Sequence, residues 1–235
     1  MATAHRATVV DVRPIGRAGR MLTLELPAEP IGFVGGQYVI VDSGRTLPTG
    51  KAAKRAYSIV STDADQGHAE LIVKRISADA GGLASDFLHG VGPGDGFSFS
   101  GPWGKFVAGA PPAHGTLVFA TDTGITAALG LLAGRDVAAR AATTHVVWLA
   151  DDSFVPAAFV AERLAGRCAS LHIERSAAAL GIARGLVAEH RLDAAYLSGD
   201  GLVLRPLRDE LLAAGVADAA IRVETFFHHA ERKAA

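Results

Sequence analysis

The sequence predicts two lobes: an all-β barrel or sandwich, then an α/β lobe built on a parallel sheet. Three observations carry this. Residues 1–110 hold six short β-rich or alternating runs, separated at short intervals by Gly, Pro and Asp clusters, the pattern of an antiparallel barrel or sandwich. Residues 111–235 alternate apolar strand-like runs with helical ones, which argues a parallel sheet with helices on both faces. Between them, Gly109-Ala110-Pro111-Pro112-Ala113-His114-Gly115 has linker chemistry.

In order, the strands expected in the first lobe are Ala7–Val12, Met21–Leu26, Gln37–Asp42, Ala56–Ser61, Ala69–Ile76 and Gly96–Ser100. Ser43–Lys54, rich in Gly, Pro and Lys, reads as a loop, and Leu83–His89 as one helical interruption. In the second lobe the strand candidates are Thr116–Ala120, His145–Ala150, Ser170–Glu174, Ala194–Ser198 and Ala220–Glu224. The helix candidates are Ile125–Arg140, Ala157–Ala165, Arg184–His190 and Leu202–Ala214. Sheets of this kind bind nucleotides at the carboxyl ends of their strands.

The 235 residues are 49% apolar and 20% charged, enough to bury a core and too apolar for disorder. A net charge of −1 without any basic run speaks against nucleic acid. Apolar runs are interrupted well short of a membrane span, and Met1–Val12 lacks a secretory apolar core. A cytoplasmic protein is expected. Cys168 is the single cysteine, which excludes an intrachain disulfide and a four-cysteine iron–sulfur cluster within these residues. The nine histidines show no metal-ligand spacing, and no metal is expected.

Arg55-Ala56-Tyr57-Ser58 is the stretch with the most chemistry. On a strand, Arg55 and Tyr57 share one face and Ala56 and Ser58 the other. A guanidinium fork matches diphosphate oxygens, an aromatic supplies a wall for a planar ring, and a hydroxyl donates a short hydrogen bond. A dinucleotide flavin needs all three; an ordinary edge strand with a surface arginine is the alternative. Gly81-Gly82-Leu83-Ala84-Ser85 opens the short helix, where backbone amides and the Ser85 hydroxyl suit an anion, or form a plain glycine turn. Val73-Lys74-Arg75 lies between these sites, with Lys74 expected opposite Val73 and Arg75, facing either ligand or solvent. Thr123-Gly124-Ile125 follows the first strand of the α/β lobe, and Gly199-Asp200 follows Ser198 at a later strand end. Both are strand-to-helix turns where a nucleotide binds, or simple βα turns. Phe226 and Phe227 close the last strand and either complete a core or cover a flat ring.

Taken in order, these motifs resemble the ferredoxin–NADP reductase family. The family's R-x-Y-S/T, G-G-x-x-S/T and G-P-x-G-x-F are matched by Arg55–Ser58, Gly81–Ser85 and Gly101-Pro102-Trp103-Gly104-Lys105-Phe106. Its G-T-G-I-A-P and C-G-x-G correspond to Asp122-Thr123-Gly124-Ile125-Thr126-Ala127 and Ser198-Gly199-Asp200-Gly201. The resemblance implies a six-stranded barrel holding FAD and a C-terminal lobe holding NAD(P)H. It implies Arg55 and Ser85 on the flavin diphosphate, Tyr57 on the isoalloxazine or ribityl chain, and Ser58 hydrogen-bonded near the flavin N5. It places Thr123, Gly124 and Ile125 along the nicotinamide nucleotide, with Gly199 and Asp200 beside it. The departures are Asp122 for the first glycine, Ala127 for the closing proline, and Ser198 for the cysteine that faces the nicotinamide.

The function so implied is a flavin-dependent NAD(P)H oxidoreductase passing single electrons to a separate protein such as a ferredoxin or oxygenase component. Ser58 and Glu224 are candidates for relaying a proton toward N5. The alternatives are a reductase of free flavin or a small acceptor, and a noncatalytic flavin- or nucleotide-binding subunit. Asp151-Asp152, directly after the second strand of the α/β lobe, favours NADH over NADPH, because a carboxylate accepts from a ribose 2′-hydroxyl and repels a 2′-phosphate; the alternative is that both aspartates point to solvent and cap the helix that follows.

Overall fold

The computed structural model describes residues 4–77, 82–150 and 154–227. The first lobe is a six-stranded antiparallel sheet in the order β4-β3-β6-β1-β2-β5. Its strands are β1 (Ala4–Ile15), β2 (Gly19–Glu25), β3 (Tyr38–Thr46), β4 (Ala52–Ser58), β5 (His68–Lys74) and β6 (Gly96–Trp103). The two outer strands meet through a bridge between Ile59 and Leu71, which closes the sheet into a barrel. Closure leaves one dry interior, filled by Val9, Leu22, Leu24, Val41, Leu71, Val73 and Phe99 among others. Helix α1 (Leu83–Gly90) packs across β3, β4 and β5. Arg20 caps its carboxyl end by donating to the His89 carbonyl.

Ser43–Lys54 is not a loop throughout. β3 runs on to Thr46 and β4 begins at Ala52, so only the tip turns. The tip is closed by Leu47 N–H to the Lys51 carbonyl (2.8 Å) and Gly50 N–H to the Leu47 carbonyl (2.9 Å).

The second lobe is a parallel sheet of five strands in the order β11-β10-β7-β8-β9. These are β7 (Thr116–Thr121), β8 (Thr144–Leu149), β9 (Ser170–Glu174), β10 (Ala194–Asp200) and β11 (Ile221–Phe227). β7 and β10 are buried at every residue, as interior strands covered on both faces must be. The helices are α2 (Ile125–Ala133), α3 (Arg135–Ala138), α4 (Ala157–Leu164), α5 (Ala178–His190) and α6 (Gly201–Ala213). Among the described residues no helix is long and apolar enough to cross a membrane.

The expected helix Ile125–Arg140 is broken at Gly134, which adopts extended backbone and ends α2. The cause lies in the other lobe. Buried Asp63 of the barrel accepts from Gly35 N–H (3.0 Å) and from Arg135 N–H (2.9 Å), and so starts α3 afresh. Helix α2 is buried from Ile125 to Leu132, as a helix apolar on all sides and wedged between two layers should be. Gly130 makes the wedge possible, since a Cβ there would lie 2.0 Å from the Ile59 carbonyl oxygen. Ile15, Met21, Val60, Ile72 and Phe106 from the first lobe share one core with α2, Val146 and Trp148. The two lobes are therefore packed against each other.

Candidate functional site

The strand order of the parallel sheet reverses between β7 and β10, because the chain winds from β7 through β8 to β9 and then returns to the other side of β7. A crevice opens at such a reversal, outside the strands' carboxyl ends. Here those ends are Thr121-Asp122 and Ser198-Gly199-Asp200. They are stitched together closely. The Thr121 hydroxyl accepts from Asp200 N–H (2.7 Å) and the Ser198 hydroxyl donates to the Gly124 carbonyl (2.9 Å). A Cβ on Gly199 would stand 2.2 Å from Thr121 Oγ1, and one on Gly124 would stand 2.3 Å from the Ser198 carbonyl oxygen. Only glycine permits this approach.

The crevice faces the barrel. Lys74, the last residue of β5, reaches Asp122 with Nζ 3.2 Å from Oδ1 and 3.3 Å from Oδ2. Asp122 sits at φ 42°, a left-handed conformation that Asp tolerates better than most residues. Its carbonyl accepts from the Trp148 indole N–H (3.1 Å). On the other side Glu224 stands beside Ser198 in the β10–β11 register. Its carboxylate also approaches Gly104, where a Cβ would be 3.7 Å from Oε2. Burial raises the Glu224 pKa above the ordinary carboxyl value. Tyr38, paired with Trp103 between β3 and β6, has its phenol pKa raised by burial and then by the Glu224 charge. Sequence reasoning missed Tyr38; only the tertiary fold brings it to Glu224.

On the barrel side, Arg55 is exposed and its guanidinium makes no hydrogen bond or ion pair among the described residues. Ala56 beside it is exposed and small. Tyr57 is half-buried against the barrel core, and that burial raises its phenol pKa, with the Arg55 charge opposing. Ser58 is 8% exposed and its hydroxyl makes no hydrogen bond among the described residues. An open guanidinium, a flat apolar step, an aromatic wall and an unused hydroxyl thus follow one another along β4. These groups fit a diphosphate joined to a planar ring. α1, with Gly82 at its start, packs beside this strand.

The other expected site residues are placed as follows. The Ser85 hydroxyl accepts from Ile76 N–H (3.0 Å) and lies within donating distance of the Ile76 and Gly82 carbonyls (2.9 and 3.0 Å), so it bridges the backbone of Ile76 and Gly82. Ala84 and Val73 are buried, Val73 within the barrel core, while Leu83 is half-buried. Arg75 is exposed, and the strand ends at Lys74, so strict alternation does not extend to it. Ile125 is a core residue; of the first βα turn, Thr123 alone is half-exposed. Ser198 is 0% exposed, because it lies on an interior strand and its hydroxyl is used on Gly124. The Asp200 carboxylate caps α6 by accepting from Leu202 N–H (2.9 Å). Phe226 is exposed at the bulge between the Gly199–Thr225 and Asp200–Phe227 pairs. Gly81, Asp151 and Asp152 lie outside the described residues, as does the side chain of Phe227. A separate cleft of about 530 Å³, lined by Ser61, His68, Glu70, Leu129, Arg163 and Arg167 among others, contains none of the expected site residues.

Residues 6–107 match the family described as the oxidoreductase FAD-binding domain. The chain is 34% identical over 105 residues to the ferredoxin–NAD(+) reductase component of an alkene monooxygenase system of Xanthobacter autotrophicus, covering 45% of this chain and 30% of that protein. It is 34% identical over 126 residues to ferredoxin–NADP reductase B of Sorangium cellulosum, covering 53% of this chain and 49% of that protein. The chain thus spans less than half the length of either relative. A crystal structure of a ferredoxin NADP+ reductase from Neisseria gonorrhoeae, with bound FAD and NADP, superposes with a TM-score of 0.76 over 97% of this chain and 100% of that one, at 16% identity. That likeness extends the shared fold through both lobes.

Proposed function

We propose that the chain, whose residues 6–107 match the oxidoreductase FAD-binding domain family, is a flavin-dependent NAD(P)H oxidoreductase feeding electrons to a separate redox protein. The observation that carries the reading is the contact between the switch point of the parallel sheet and the barrel. The switch point of the parallel sheet meets the barrel through Lys74 and Asp122 on one side and Glu224 and Gly104 on the other.

In this reading Arg55 pairs with the FAD diphosphate, Tyr57 packs on the ring system or its ribityl chain, and Ser58 offers its unused hydroxyl at the ring edge. FAD, when bound, would supply the redox chemistry: acceptance of a hydride from the nicotinamide and release of single electrons. The residues of the chain bind, orient and exclude water. Thr123 and the backbone of the Asp122–Gly124 turn line the nucleotide, and the Thr121–Asp200 and Ser198–Gly124 bonds hold that turn in shape. Glu224 retains its proton to a higher pH than an exposed glutamate would, which suits it to hold a proton near the reacting ring. Ser58 is the other candidate for such a relay.

NADH is the proposed nicotinamide donor. Asp151 and Asp152 follow β8, where a carboxylate accepts from a ribose 2′-hydroxyl and repels a 2′-phosphate. The acceptor is a ferredoxin or an oxygenase component. Support for that class comes from the two relatives, one of which belongs to an alkene monooxygenase system. The test is kcat/KM for NADH and NADPH with an artificial dye acceptor. Wild type is expected to prefer NADH by about tenfold or more, and the Asp151→Ser/Asp152→Arg variant to shift toward NADPH. Equal use of both nucleotides, or no shift in the variant, removes the aspartates from the ribose site. No dye reduction with either nucleotide removes the enzymatic reading.

A further inference from the structure

We propose that Lys74 neutralises Asp122 in the first βα turn, and thereby admits an anionic dinucleotide to a turn whose carboxylate would otherwise repel it. The inference rests on the nucleotide site assigned above and adds to it a charge pair built from both lobes. The first βα turn of a doubly wound sheet is where a pyrophosphate sits, because backbone N–H groups and the following helix favour negative charge. In this chain the turn carries a carboxylate, and it is largely enclosed, with the side chain 11% exposed.

The carboxylate is not left to solvent. Lys74, 29% exposed, places one ammonium at nearly equal distance from both oxygens (3.2 and 3.3 Å). Its Nζ also lies 5.6 Å from the centre of the buried Phe154 ring, which helps fix the long side chain. Asp122 is held from its own side by the left-handed φ of 42° and by the Trp148 indole on its carbonyl. Both partners are thus fixed before any ligand arrives. The pair presents little net charge to a pyrophosphate, whereas Asp122 alone would present a full negative charge at close range in a partly enclosed crevice, where screening by water is weak. Lys74 therefore acts as a positioning residue through Asp122, and the same contact ties β5 to the end of β7.

The experiment is calorimetric titration of the FAD-loaded protein with ADP-ribose, which carries the pyrophosphate without the nicotinamide. The variants are Lys74→Met, which keeps the aliphatic stem near Phe154, Asp122→Asn, which keeps the left-handed tolerance, and the double variant. Flavin absorbance and far-ultraviolet circular dichroism check that each is folded. Lys74→Met is expected to weaken ADP-ribose by about tenfold or more, the size of an uncompensated like charge at short range. Asp122→Asn is expected to tighten it severalfold. The double variant is expected to return to within about threefold of wild type. Should the double variant stay as weak as Lys74→Met, the lysine binds the nucleotide itself and the proposal is wrong. It is also wrong if Asp122→Asn leaves affinity unchanged, a result that does not need the lysine variant to fold. Failure of wild type and every variant to bind ADP-ribose would overturn the nucleotide site itself, and this proposal with it.

Discussion

Ser198 donates its hydroxyl hydrogen to the Gly124 carbonyl across 2.9 Å, and so fastens the end of β10 to the turn after β7. The side chain is 0% exposed. The family resemblance implied a side chain facing the nicotinamide; in this fold its polar atom is already committed to the backbone that shapes the nucleotide turn. The chemistry of the position is then that of a clip.

Removing the clip should be felt in binding and stability before it is felt in flavin content. Ser198→Ala leaves the buried Gly124 carbonyl without that donor, at a cost of about 1–3 kcal/mol. For a chain of this size that lowers Tm by roughly 2–12 °C. ADP-ribose affinity is expected to fall with it, while the FAD content of the purified protein stays at the wild-type level. Unchanged Tm and unchanged ADP-ribose affinity would show that the bond does not shape the turn.

Arg55 is open on the surface of β4, and its guanidinium makes no hydrogen bond or ion pair among the described residues. If it holds the diphosphate, Arg55→Ala should fold and purify with little FAD. Loss of a charge-assisted hydrogen bond costs about 1.5–3 kcal/mol, or roughly ten- to a hundredfold in affinity. Because Arg55 supports nothing else in the barrel, Tm of the flavin-free protein should not change. A variant as yellow as wild type, with the same FAD affinity, would remove Arg55 from the site.

His145 gives the chain an acid-sensitive point far from the cleft. It is 7% exposed, its ring stacks on His190 with centroids 4.2 Å apart, and Nδ1 lies 2.9 Å from Ser170 Oγ. Burial first, then the neighbouring His190 and His172, hold its pKa below the ordinary 6.5, with Glu189 opposing. The folded state therefore takes up this proton less readily than the unfolded chain. As pH falls through about 6.5 the unfolded chain binds more protons, so stability falls with it. Tm should drop between about pH 7.5 and 5.5, and the drop should be smaller in His145→Gln, which has no proton to take up. Parallel Tm–pH curves for the two proteins would clear His145 of the effect.

The sequence made the architecture legible where local pattern decides it. β9 occupies Ser170–Glu174, the range its alternating and apolar residues indicate, and α1 starts at Leu83 as expected. It was less legible where distant residues decide. Gly134 looks like a tolerable glycine inside a helix until Gly35 and Asp63 are brought against it. The glycines of Ser43–Lys54 suggest a loop, yet Gly50 merely closes the tip of a hairpin whose arms continue inward. Along the candidate site the same limit applies to hydroxyls. Ser58, Ser85 and Ser198 are alike in one dimension, but two of them spend their hydroxyl on nearby backbone and one does not. The Lys74–Asp122 pair joins two lobes and could not be read from either motif alone.

The central claim is that the two lobes oppose a flavin and a nicotinamide across one cleft. The most direct measurement is the visible spectrum of the FAD-loaded protein, followed in a stopped-flow mixer after anaerobic addition of NADH. The account predicts a yellow protein whose flavin absorbance bleaches rapidly on mixing with NADH and more slowly with NADPH. A protein that takes up no FAD, or a yellow protein that neither nucleotide bleaches, would contradict it.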